Sequence, residues 1–219
     1  MAPVLLFSIV AHEYAHAEAA YRQGDQTAYM LGRLTLNPLK HIDPWMTVIL
    51  PAIMIYMQFP FVFGAAKPVP VNPRNYRNYV RGETIVSLAG IATNLAFFVL
   101  ATIGFALTGL LGRAVPAMES TIAILQQMMF WGMFLNLILA FFNLIPIPPL
   151  DGSHVLKLLL PPAAGMRFRQ LYSLGFIPLF LIMWQLPGVV RTLMWPAYQL
   201  MGLAGGLVGP LALPGGWPL

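Results

Sequence analysis

Two histidines and a glutamate stand together in the run His12-Glu13-Tyr14-Ala15-His16. On a helix of 3.6 residues per turn, positions four apart fall within about 40° of each other, so His12 and His16 project from one face and can share an ion. Glu13 lies on the adjoining flank, within reach of a water on that ion, where a carboxylate can act as general base. The chain holds 4 His and 7 acidic residues among 219. Chance would place this spacing in only about a few chains per thousand, so the match is specific, and its chemistry is that of a zinc peptide hydrolase with one Zn2+ per chain. The bland alternative is a polar helix face lining a bundle interior.

A hydrolytic zinc site takes three protein ligands and keeps one position open. With no cysteine in the chain, the third ligand must be a histidine or a carboxylate. Position 22 is Arg, which excludes a third histidine six residues after His16. Glu18 and Arg22 are spaced i, i+4 in the favourable order and read as a surface pair. Asp25 follows too closely to fold back, Asp43 precedes a proline in a turn, and Glu119 sits in a short polar loop. Asp151 differs. It ends the run Asn143-Leu-Ile-Pro-Ile-Pro-Pro-Leu-Asp151-Gly152, where three prolines break a long apolar stretch and Gly152 permits a sharp turn. Irregular backbone at membrane depth is tolerated only against protein or a water-filled cavity, so Asp151 is the expected third ligand. It could also cap the helix that starts at Gly152.

The elements around these residues are apolar helices. Of all residues 58% are hydrophobic and 9% charged, mean hydropathy is +0.73, and soluble domains carry roughly 25% charged residues. The reading is an all-α polytopic membrane protein, one domain over residues 1–219, forming a helical bundle with a re-entrant segment and a short β-like loop. A span needs about 20 apolar residues. Residues 3–21 form the first stretch, 44–64 a second broken by Pro51 and Pro60, 83–111 a third and 121–145 a fourth. An amphipathic piece follows at 152–160 and an apolar one at 171–186. Past Arg191 the Gly- and Pro-rich chain gives no basis for a further span. Residues 23–43 and 65–82 read as loops, and Val69–Val71 as a short edge strand that could pair with an extended substrate.

The net charge of +5 comes from Lys and Arg spread over the inter-helix segments, an orientation signal that gives no reason to expect nucleic acid. Both flanks of 44–64 are basic, with Arg22, Arg33 and Lys40 before it and Lys67, Arg74, Arg77 and Arg81 after it. The positive-inside rule places both in the cytoplasm, so 44–64 dips into the membrane and returns. The N-terminus then lies outside and the site in the cytoplasmic half of the cell membrane.

The motifs HEYAH, Ala89-Gly90-x-x-x-Asn94 and NLIPIPPLDG resemble those of the site-2 protease family of intramembrane metalloproteases, in its compact prokaryotic branch. The linkers GRLTLNPLKHIDP and AKPVPVNP extend the resemblance over nearly the whole chain. It implies zinc on His12, His16 and Asp151, Glu13 as base, and membrane-anchored protein substrates in a lipid bilayer. One departure stands out: Ile91 occupies the position after Gly90 where the family usually has proline. Asn94 and Asn143, amides inside apolar stretches, could bind substrate or the transition state, or could bond helix to helix. His41 and His154 read as structural. A rival reading, a metal-handling or transporter-like protein using the same His and Asp, leaves Glu13 without a task.

Overall fold

In the computed structural model, residues 1–59, 62 and 64–217 are described. Nine α-helices are found among them: α1 (Ala2–Gln23), α2 (Thr27–Met30), α3 (Leu50–Tyr56), α4 (Tyr79–Ala114), α5 (Glu119–Leu144), α6 (Asp151–Leu159), α7 (Pro162–Gln170), α8 (Ile177–Gln185) and α9 (Pro187–Val208). The chain divides into two compact units, Met1–Ser8 with Ile91–Leu219, and Ile9–Gly90.

The larger unit rests on α5 and α9 with the later part of α4. Phe105, Phe130 and Met133 are fully buried and pack with Ala204, Val208 and Trp217. The chain past Arg191, which gave no span by pattern, continues as α9 to Val208. Small residues such as Ala197 and Ala204 are buried there, and tertiary packing compensates for the helix-weakening glycines. Gln126 fastens the tail: its Nε2 donates to Phe105 O and Leu211 O at 3.1 Å each, and its Oε1 accepts from Leu213 N–H at 2.8 Å. A second polar chain runs from Asn94 Nδ2 to Asn136 Oδ1 at 2.8 Å and from Asn136 Nδ2 to Ser8 Oγ at 3.0 Å. Buried amides satisfied in this way tie apolar helices together where burial alone gives no directional preference.

The smaller unit is built around the later part of α1. That helix stops at Gly24, whose φ of +110° is the left-handed conformation typical of a helix C-terminus. A side chain there would also crowd Asn75 O at 3.0 Å. Asp43 caps the helical segment that starts at Pro44, accepting from Trp45 N–H and Met46 N–H at 2.9 Å each. This segment winds as a wide π-type turn over Pro44–Ile49 and continues as α3. Its 13 residues extend about 20 Å, short of the roughly 30 Å apolar core of a bilayer. Pro60, one of the two expected breaks in 44–64, lies outside the described residues.

Two described helices are long and apolar enough to cross a membrane: α4, and residues 116–144 ending with α5. They match the third and fourth expected stretches. Together α8 and α9 also qualify as one broken span, bent by 96°. The first expected span forms α1 but is not among these helices; His12, Glu13, His16, Glu18 and Arg22 dilute its apolar character. The expected β-like loop is corrected as well, since no strand occurs among the described residues. Pro68, Pro70 and Pro73 remove backbone donors, and the N–H of Val69 is turned to a side chain instead.

Candidate metal centre

His12 and His16 lie on one face of α1, both buried. Their Nε2 atoms are 3.0 Å apart. His16 Nδ1 donates to the backbone carbonyl of Val86 on α4 at 2.7 Å. A carbonyl can only accept, so this bond places the proton on Nδ1 and leaves the Nε2 lone pair for a metal. The ring of His12 is seated by a glycine. A Cβ on Gly90 would lie 2.5 Å from His12 Cε1 and 2.6 Å from both ring nitrogens, so only glycine leaves room for the imidazole. This gives Gly90 of the Ala89–Asn94 pattern a physical role.

Glu13 is held from the loop that follows α3. Its Oε2 accepts the N–H of Val69 at 2.9 Å. The loop is itself anchored at Asp25, which is fully buried. Asp25 accepts from Asn72 N–H at 2.6 Å, Asn75 Nδ2 at 2.8 Å, Thr27 Oγ1 at 2.5 Å and Thr27 N–H at 3.1 Å. Burial pushes this carboxyl up, but the bonds from Asn72, Thr27 and Asn75 prevail and hold it below the usual carboxylate range. Nearby Tyr76 moves the other way: burial first, then the charges of Glu83 and Asp25, push its phenol up. The sequence offered Asp25 only as a rejected ligand and Val69 only as part of an edge strand, because the roles of both rest on contacts some fifty residues away in the chain. Glu18 does pair with Arg22, at 2.7 Å.

Asp151 is the first residue of α6, and the cap position is Leu150. The turn before it contains a cis bond between Pro148 and Pro149. Gly152 is required here too, because a Cβ would overlap the Leu144 carbonyl at the end of α5. His12 and His16 offer two of the donors that a metal ion takes, and Asp151 is the third ligand that the sequence expects. Two ligands of a tetrahedral zinc with bonds of about 2.0–2.1 Å stand roughly 3.3 Å apart, close to the spacing of the two Nε2 atoms. The donor set suits zinc: two neutral imidazoles and a carboxylate, leaving one position open.

The remaining expected residues have local partners. Asn94 is engaged with Asn136, as above. Asn143 Nδ2 donates to Leu139 O of its own helix at 2.9 Å. His41 Nε2 donates to Thr35 O at 2.8 Å, and His154 packs edge-on against Tyr172, centroids 5.1 Å apart. Asn136 and Gln126, buried amides that bind helices in the larger unit, were not singled out by sequence; both sit in apolar runs and could have been flagged on that ground.

A family model described as Peptidase family M50 matches residues 1–183. Several relatives carry the printed name "Putative zinc metalloprotease". YwhC of Bacillus subtilis is 40% identical over 195 residues, 88% of this chain and 82% of the relative. Rip2 of Mycolicibacterium smegmatis is 33% identical over 172 residues, 78% of this chain and 61% of the relative. Rip2 of Mycobacterium tuberculosis H37Rv is 31% identical over 201 residues, 91% and 72%. No solved structure matches the chain significantly.

Proposed function

The chain belongs to peptidase family M50, and from that premise we propose that it is an intramembrane zinc metalloprotease cleaving membrane-anchored proteins with His12, Glu13, His16 and Asp151. The observation that carries the reading is the bond from His16 Nδ1 to Val86 O, which leaves Nε2 unprotonated and facing Nε2 of His12, as two ligands of one ion must be. His12, His16 and Asp151 would hold Zn2+. Bound zinc supplies Lewis acidity, lowering the pKa of water and polarising a carbonyl.

Glu13 does the proton work. With Oε2 fixed by Val69, its Oε1 takes the proton of the attacking water and returns it to the amide nitrogen as that leaves, base and then acid. Asn143 offers its second amide hydrogen to the developing oxyanion. Asn94 is assigned to substrate or transition-state binding alongside the bond its amide donates to Asn136. The metal-handling alternative still gives Glu13 no task, and the family does not favour it.

For topology we propose that 44–64 is re-entrant, supported by its short helical length and its two basic flanks. The site then lies in the cytoplasmic half of a multi-pass protein. The central experiment compares wild type with Glu13→Gln and Asp151→Ala, by metal analysis of purified protein and by membrane proteins accumulating in cells. Glu13→Gln should keep about one zinc and lose cleavage, because the base is not a ligand. Asp151→Ala should lose both. Full cleavage by Glu13→Gln would end the mechanism, and full zinc in Asp151→Ala would pass the third ligand to Asp43 or Glu83.

A further inference from the structure

The loops of the smaller unit form an open cavity of about 500 Å3 lined by Arg33, Lys40 and Lys67 together with Leu31, Leu39 and Ile42. Pro68 and Pro70 complete its wall, and among the described residues no acidic one lines it. None of the three cations pairs with a described carboxylate. Three positive charges gathered around one cavity repel each other and concentrate a field that attracts an anion. Arg33 is the fixed member: its Nη2 donates to Lys67 O at 3.0 Å, and its Nε is buried without a hydrogen-bond partner among the described residues. A guanidinium held in this way keeps its donors oriented.

The rim is apolar and exposed. Leu39 is 75% exposed and Leu31 62%, in a chain whose apolar helices mark it as a membrane protein. Exposed leucine beside unpaired lysine is poorly suited to bulk water. It suits the bilayer interface, where apolar side chains enter the acyl boundary and cations meet headgroups. We propose that this cavity binds the headgroup of an anionic phospholipid, its phosphate between Arg33, Lys40 and Lys67 and the start of an acyl chain over Leu31 and Leu39. The assignment does not depend on the protease reading, and its test reads binding alone.

The full-length protein is placed in nanodiscs of equal phosphatidylglycerol and phosphatidylcholine, and the lipids it retains are counted by native mass spectrometry. Wild type should retain phosphatidylglycerol over phosphatidylcholine. Lys40→Gln with Lys67→Gln, both exposed positions, should weaken that retention about thirtyfold, in line with two lost headgroup contacts. Arg191→Gln, a basic change on α9, should leave it unchanged. Equal retention of the two lipids by wild type overturns the proposal without any variant. So does unchanged retention in the double variant, or an equal loss in Arg191→Gln, which would reduce the effect to net charge. Two competitors separate other anions: displacement of the lipid by millimolar inorganic phosphate, or by a glutamate-rich decapeptide, would reassign the cavity to a free anion or to an acidic polypeptide.

Discussion

The carboxylate of Glu13 and the backbone N–H of Val69 meet at 2.9 Å, although 56 residues separate them. A charge-assisted bond of this kind fixes which carboxylate oxygen is occupied and which can move a proton. Replacing Val69 by proline deletes the donor while keeping an apolar ring among the neighbouring prolines. The expected outcome is a loss of turnover of about tenfold with zinc content unchanged, corresponding to about 1.4 kcal/mol. Purified protein assayed for kcat and metal would decide it; full turnover would show that the contact does not orient the base.

Gly90 should tolerate no side chain. Its Cβ would stand 2.5 Å from His12 Cε1, and the backbone of α4 cannot easily yield. Gly90→Ala is expected to displace the imidazole and weaken zinc binding by roughly 10–100-fold, the range seen when the setting of a ligand is disturbed. Chelator competition measures this directly, and wild-type affinity would show that the ring has room elsewhere.

Asn94 and Asn136 should be coupled, and Asn143 should not join them. Their 2.8 Å bond predicts a double-mutant coupling of about 0.6–1.7 kcal/mol in unfolding measurements. Asn143→Ala, by contrast, should leave stability and zinc close to wild type while raising the barrier by roughly 2–4 kcal/mol, if its amide meets the oxyanion. A fully active Asn143→Ala would return that residue to helix packing.

Acid should loosen the loop that carries Val69. Hydrogen bonds hold Asp25 below its ordinary value of 3.8, so the folded state favours the ionised form. The unfolded chain therefore takes up the proton first as pH falls. The stability contributed by Asp25 is complete above about pH 5 and is lost as pH drops through the folded value. Asp25→Asn presents an amide donor or a weaker acceptor to Asn72 N–H and should cost about 1–3 kcal/mol at neutral pH. The gap to wild type in thermal melts should narrow toward pH 3. A gap independent of pH would assign the effect to shape alone.

Topology can be read by labelling. With no native cysteine, cysteines replacing Asn37 and Asn78 can be introduced singly. An impermeant reagent should reach both from the cytoplasmic side. Labelling from opposite faces would make 44–64 a true span and move the site to the bilayer midplane.

By itself the sequence determined the chemistry and the broad architecture. His12, Glu13 and His16 are neighbours on one helix, so their juxtaposition follows from the pitch of the backbone, and α4 and α5 follow from apolar length alone. The 36-residue α4 was legible because hydrophobic periodicity is irrelevant where every face is apolar. What sequence could not supply were relations across distance. That Val86 O sets the tautomer of His16, that Gly90 makes room for His12, and that Asp25 anchors the loop holding Glu13 are decided by contacts between segments far apart in the chain. Helix α9 was missed for a related reason. Its glycines and Pro196 lower intrinsic helix propensity, and only burial against α5 restores the balance. The β-like loop failed in the opposite direction: Val69–Val71 has strand-like residues, but a strand needs a partner edge, and the one N–H that mattered found a carboxylate instead.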